Sequence, residues 1–399
     1  MCVPSVDTRP RVTLADLVRV GGDAVARTHR LAKVQQVALW AIAACRTAVL
    51  GGHTETCDHC GMTRVTYNSC RNRHCPTCQT TARDRWLEAR RAELLPIPYF
   101  HVVFTLPHAL NALAQGNPRV VYGLLCRAAT ETLLAFGRDP RHLGGTIGVT
   151  AILHTWGQTL TQHLHLHCVV TGGALSRDGT RWILARRGFL FPVRALAVVF
   201  RARYLEGLRH AFDARRLTFA GGTEPLTDPE TWRRFLHTLG AQPWVVYAKP
   251  PFGGPERVLA YLARYTHRVA ITNHRLVDLT DGQVRFRWKD YADHDRQKIM
   301  TLTAEEFLRR FLLHVLPTRF VRIRHAGLFG NRGRHARLDR CRVLLGMSPI
   351  APPPAEPSPD RPARDTERCP VCRQGTMHVT AVFAPVVDSP RTPRAPDPP

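Results

Sequence analysis

The chain has 399 residues, room for two or three domains with real hydrophobic cores. Its 56 Lys and Arg against 31 Asp and Glu leave a formal charge of +25, more than solubility requires, which points to a polyanionic partner and first to nucleic acid. No apolar run of about 18 residues, signal-peptide core or lipidation motif stands out, so membrane and secreted classes are set aside. The 12 cysteines are then expected as thiols or metal ligands in an intracellular protein, not as disulfides.

Thr13 can cap a helix from Leu14, and Val34, Val37, Ala38, Ala41 and Cys45 keep helical spacing before Gly51 and Gly52. Residues 1–35 read as a lead-in and 36–92 as a small zinc-binding, DNA-docking module. Its knuckles, Cys57 with Cys60 and Cys75 with Cys78, stand fourteen residues apart, a spacing that predicts one closed, structural Zn2+ site. Cys70, His59 and His74 compete as ligands. Arg71 and Arg73 inside the module, and Arg83 with Arg85, Arg90 and Arg91 on the following helix, are expected to meet phosphate.

Residues 93–335 read as a single α+β domain, a central antiparallel sheet with packed helices. YFHVVFTLP, at 99–107, is a buried strand, and a helix spans Pro118 to Phe136. TIGVTAILHTW (146–156) and QHLHLHCVV (162–170) are predicted to pair as a hairpin across Gly157 to Gln162. The second strand puts His163, His165 and His167 on one face, because successive side chains alternate, and imidazoles lined up in this way can converge on one metal ion. His154, across the hairpin, is the other contender for third ligand with His163, and Gln158 and Gln162 can also contribute. Further on come a helix from Pro192, a strand at 244–249, and a helix from Pro255 that carries Tyr261 and Tyr265 four residues apart. VRFRWKDYAD, at 284–293, alternates Arg285, Arg287 and Lys289 with Phe286 and Trp288, so one face can pack while the other meets DNA. Lys249 and Lys289 are candidates for stabilising phosphate charge.

FTLP at 104–107, the His165-Leu166-His167 element and YLARY at 261–265 resemble, in that order, the three motifs of the HUH single-strand endonucleases. The resemblance is closer still to the rolling-circle insertion-sequence transposases of two-tyrosine type, through the cysteine-rich YNSCRNRHCPTC (67–78) and GLFGNRGR (327–334); it covers roughly residues 35 to 335. It implies that His165, His167 and a third ligand, His154 for the working assignment, hold a catalytic Mg2+ or Mn2+. It implies further that Tyr261 and Tyr265 are nucleophiles forming 5′-phosphotyrosine links with single-stranded or hairpin DNA ends, and with target DNA. Such a protein would be cytoplasmic, bacterial and nucleoid-associated, with room for a homo-oligomer.

Beyond residue 335 the chain reads as a Pro-rich, disordered tail. Its CPVC, Cys369 and Cys372, is half a zinc site whose partners are open among Cys341, His335, His378 or a second subunit. Two other readings stand beside the transposase: a plasmid rolling-circle replication initiator, and a noncatalytic zinc-dependent DNA-binding protein.

Overall fold

A computed structural model describes residues 12–91, 93–186, 188–249, 257–258, 261, 269–347 and 368–386. The chain is α+β and forms two compact units, each discontinuous in sequence. One comprises Met1–Thr80, Ile271–Arg309 and Ile350–Arg394; the other comprises Thr81–Ala270, Arg310–Pro349 and Ala395–Pro399.

The second unit is built on a five-stranded antiparallel sheet. Its strands in chain order are β1 (Tyr99–Thr105), β2 (Gly148–Trp156), β3 (Gln162–Thr171), β4 (Val246–Lys249) and β5 (Ile323–Gly327), and in space they run β5-β2-β3-β1-β4. The expected hairpin is present, with His154 opposite His165 and Ile152 opposite His167. On the other side of β3, Val103 faces His167 and Thr105 faces His165.

This register sorts the side chains by chemistry. Phe100, Val102, Phe104, Ala151, Leu153, Leu164, Leu166 and Val170 share one face and are buried in the main core. The helices Pro118–Arg138, Val193–Asp213 and Pro229–Ala241 supply its other wall through Leu125, Phe200 and Trp232, among others. Phe104 meets Phe200 edge to face at 4.9 Å, and burying such a ring contributes about 1.5–3 kcal/mol. Because that face is committed to the core, the alternate residues His101, His163, His165, His167 and His154 all lie on the opposite one.

Pro118–Arg138 is long and apolar enough to cross a bilayer, contrary to the expectation that no such stretch exists. Val121, Leu125, Ala129 and Leu133 nevertheless pack into the core. GLFGNRGR has a structural role. Gly327 ends β5 at φ +63, and a Cβ there would stand 1.9 Å from the Ile147 carbonyl oxygen. Leu328 and Phe329 then turn inward, into a second core with Ile152 and Val169.

In the first unit, Thr13 caps Leu14–Thr28 through a reciprocal bond with Asp16, as the sequence suggests. Gln283–Asp290 pairs antiparallel with Leu276–Thr280 and Arg296–Thr303. Val284 and Phe286 are buried while Arg285 and Arg287 are exposed, the expected alternation. Part of the supposed tail is folded: Met377–Phe383 adds a third strand to Gly52–Cys57 and Thr63–Tyr67. The Pro-rich stretches 348–367 and 387–399 lie outside the described residues.

His314, fully enclosed, gives a pH test of this fold. Its Nε2–H donates to the Leu160 carbonyl at 3.0 Å, and its Nδ1 accepts from the Thr155 hydroxyl at 3.1 Å. Burial pushes its pKa down to about 4, against about 6.5 in an unfolded chain. The folded state therefore excludes a proton that the unfolded state takes up, so the contribution is complete above pH 6.5 and is lost as the pH falls towards 4. By pH 5 the loss should be about 2 kcal/mol. Urea unfolding at pH 7.5 and pH 5 should show the gap between wild type and His314→Gln narrowing by that amount.

Candidate active site and metal centres

His154, His165 and His167 bring one ring nitrogen each to within 4.8 Å of one another. Ring centroids are 5.2 Å apart for His154 and His165, 4.4 Å for His154 and His167, and 4.8 Å for His165 and His167. His154 sits directly across the ladder from His165 and completes this group. His163 lies outside this group, its ring 4.9 Å from that of His165 and 5.5 Å from that of His108. Gln162 is engaged elsewhere, its side-chain oxygen accepting from Gln115 at 2.9 Å.

The donor set suits a metal. The Nδ1–H of His165 donates to the His163 carbonyl at 2.9 Å, which puts the ring's lone pair on Nε2. Burial pushes the pKa of His165 down to about 3, helped by His163, and burial with His165 alongside holds His167 well below the usual range. Both rings are neutral at physiological pH, as metal ligands must be. His154 is anchored by stacking on Trp156 at 4.4 Å, and the Arg322 guanidinium lies over the Trp156 ring at 5.2 Å.

Tyr261 reaches this cluster. Its hydroxyl oxygen is 3.0 Å from His167 Nδ1 and 2.5 Å from His101 Nε2. His101 in turn stands 2.9 Å from His167 Nδ1, with the rings stacked at 5.1 Å. Burial, with the Lys249 charge beside it, pushes the pKa of His101 down to about 4, so its ring is also neutral. In the sequence His101 is a lone histidine in an apolar strand and does not stand out. Its parity with Val103 and Thr105 gives its face, but only the folded chain puts a tyrosine against it. Tyr265 lies outside the described residues.

The cysteines divide differently from the expected single site. Cys75 and Cys78 join Cys45 and Cys70, while Cys57 and Cys60 join Cys369 and Cys372. The expected set of Cys57, Cys60, Cys75 and Cys78 is thus corrected: the strands Gly52–Cys57 and Thr63–Tyr67 intervene, and Cys45, at the end of the helix Lys33–Ala44, closes on the second knuckle instead. In that group Cys45 and Cys78 are 3.6 Å apart, as are Cys70 and Cys78, and Cys75 and Cys45 are 3.7 Å apart. Four thiolates about 2.3 Å from a tetrahedral zinc must be about 3.8 Å from one another, so the group fits that ion. His74, a former competitor, bonds to Asn72 at 3.1 Å.

The basic residues singled out are also placed. Arg71 is exposed at φ +50, Arg73 is half-buried, and Arg83 pairs with Asp84 at 2.9 Å. Arg285 forks onto Asp278 at 2.9 and 3.0 Å, Arg287 is exposed, and Lys289 pairs with Asp295 at 2.8 Å. The sequence did not single out a cleft of about 500 Å³ in the second unit, whose lining includes Arg119, Arg127, Arg216 and Arg324 and, among the described residues, no acidic one.

Comparison with known proteins gives the lineage. Residues 148–336 match a family described as "Putative transposase", and residues 17–106 match the "Transposase zinc-binding domain" of IS91 type. The chain is 53% identical over 388 residues, 95% of its length and 97% of the relative's, to "Putative transposase y4qJ" of Sinorhizobium fredii. It is 30% identical over 317 residues, 78% of its length and 74% of the relative's, to "Transposase for insertion sequence element IS801" of Pseudomonas savastanoi pv. phaseolicola. No solved structure matches. The chain belongs to the insertion-sequence transposases related to those of IS91 and IS801, and carries their zinc-binding domain.

Proposed function

We propose that this transposase nicks and rejoins single-stranded DNA at the ends of its element through a 5′-phosphotyrosine intermediate, in rolling-circle transposition. The observation that carries the reading is the Tyr261 hydroxyl, held 3.0 Å from His167 Nδ1 at the edge of the three-histidine cluster. His154, His165 and His167 would hold the cation, and their nitrogen donors favour Mn2+ over Mg2+ in vitro. When bound, the cation supplies Lewis-acid polarisation of the scissile phosphate.

The chain's own groups account for the rest. A phenol with an unperturbed pKa of about 10 needs help to become a nucleophile at neutral pH. His101 is neutral, with Nε2 2.5 Å and Nδ1 3.3 Å from the hydroxyl oxygen, so a turn of its ring would aim the Nε2 lone pair to accept the phenolic hydrogen as the oxygen attacks phosphorus. His167 Nδ1, 3.0 Å from the same tyrosine oxygen, can donate a hydrogen bond that steadies the phenolate as its proton leaves. The P–O3′ bond breaks as the P–O bond to tyrosine forms, and the proton ends on the released 3′-hydroxyl. The phosphodiester's energy is kept in the covalent link, so the reverse attack rejoins a strand without ATP. Tyr265 would act as the second nucleophile. Lys249, in register with His101, supports an anionic substrate on this face.

Removing His101 should slow adduct formation about 10²–10⁴-fold, the usual worth of a proton acceptor, while leaving DNA affinity unchanged. Single-turnover cleavage by His101→Ala should also rise more steeply with pH than that of wild type, as ionisation of the phenol replaces assisted proton removal. An unchanged pH profile would exclude this role. DNA is expected along Arg71, Arg73, Arg83, Arg285, Arg287 and Lys289, with the protein in the bacterial cytoplasm near the nucleoid. The transposase zinc-binding domain and the overall similarity to transposases favour transposition over plasmid replication initiation. Loading of single-stranded element ends with Mn2+ or Mg2+, followed by a search for an SDS-resistant adduct, separates this reading from a noncatalytic DNA-binding protein.

A further inference from the structure

The second cysteine group contains two residues from each end of the chain. Cys57 and Cys372 have their sulfurs 3.7 Å apart, and so do Cys60 and Cys369. These separations rule out disulfides, whose sulfurs touch at about 2.05 Å, and again match the edge of about 3.8 Å of a tetrahedral Zn–thiolate centre. The surrounding backbone is arranged for thiolates. The amides of His59 and Cys60 point at Cys57 Sγ from 3.4 and 3.5 Å, and that of Gly375 points at Cys372 Sγ from 3.4 Å. Gly375 is required by the close approach, since a Cβ there would come within 2.5 Å of Cys57 Sγ.

The two knuckles are fastened by more than sulfur. Cys57 stands opposite Met377 at the start of an antiparallel ladder that runs to Gly52 opposite Phe383. Asp58 accepts from the Thr376 amide at 2.7 Å and contacts His378 Nε2 at 3.1 Å. The apolar content of the junction is small: Cys57, Cys369 and Met377 are buried, with Met62 and Cys372 packed against them. So few buried groups cannot hold a strand in place unaided, and small modules of this kind rely on a metal.

We propose that Cys57, Cys60, Cys369 and Cys372 form a second closed zinc site, which makes residues 368–386 a structural half of the N-terminal zinc module. Four thiolates leave no open position, so the ion is structural. The clasp joins cysteines 309 and 315 positions apart. The chain segment carrying the histidine cluster is therefore an insertion between the two halves of one zinc module. Deleting the tail would remove two ligands and a strand from that module.

The test uses the full-length holoprotein. Zinc analysis should give about two ions per chain for wild type and about one for Cys369→Ser with Cys372→Ser. In the same wild-type sample, brief alkylation followed by mass mapping should leave Cys57, Cys60, Cys369 and Cys372 unlabelled together, and chelation should expose all four. This second readout decides the matter if the double variant does not fold. One zinc per wild-type chain with Cys57, Cys60, Cys369 and Cys372 labelled, two retained by the variant, or rapid labelling of Cys369 and Cys372 in holoprotein would each overturn the proposal. Failure of the other zinc site would show separately, as labelling of Cys45 and Cys70.

Discussion

Tyr261→Phe should lower the rate of the first covalent capture of single-stranded DNA by about 10³-fold or more. The substitution removes one oxygen and keeps the ring, which packs half-buried against the second core. Folding and metal content should therefore be unchanged. The His101 and His167 nitrogens would keep each other at 2.9 Å, so the loss would report the missing nucleophile and not a collapsed site. A gel assay with labelled element-end oligonucleotide and Mn2+, alongside thermal unfolding, checks both halves. Residual adduct near the wild-type rate would show that the attacking oxygen comes from elsewhere.

The other large effect is expected at a residue with no role in the one-site zinc reading. Cys45→Ser should release one zinc per chain and unfold the segment around Cys70 to Cys78, because Cys45 lies 3.6 Å from Cys78 and 3.7 Å from Cys75. Structural zinc sites carry on the order of 10 kcal/mol of folding free energy, as much as the whole net stability of a typical domain. A site made of Cys57, Cys60, Cys75 and Cys78 would instead keep its ion in this variant. Zinc analysis of the purified full chain, with proteolysis across residues 70–78, distinguishes the two arrangements.

Sequence legibility followed the physics of each element. Strand alternation is local, so the hairpin, the face of His165 and His167 and the burial of Phe286 could be read directly from the spacing. Ligand choice depends on register between strands. His154 and His163 are equivalent in the sequence, and only the ladder shows His154 opposite His165. Cysteine pairing is still less local. Cys45 completes an apolar helical pattern and reads as core, while Cys369 sits beyond a Pro-rich stretch that reads as tail. Nothing in the spacing shows that Met377–Phe383 returns to pair with Gly52–Cys57. His101 is legible as a residue on the histidine face, but its 2.5 Å approach to Tyr261 is a tertiary fact.

Tyr261, beside the three-histidine cluster, is the residue expected to bond covalently to DNA. The most direct test is mass mapping of the wild-type protein after reaction with a single-stranded element end and Mn2+, followed by nuclease trimming and proteolysis. A residual 5′-nucleotide on the peptide bearing Tyr261 is the predicted result. No nucleotide-bearing peptide, or modification only at residues other than Tyr261, would contradict it.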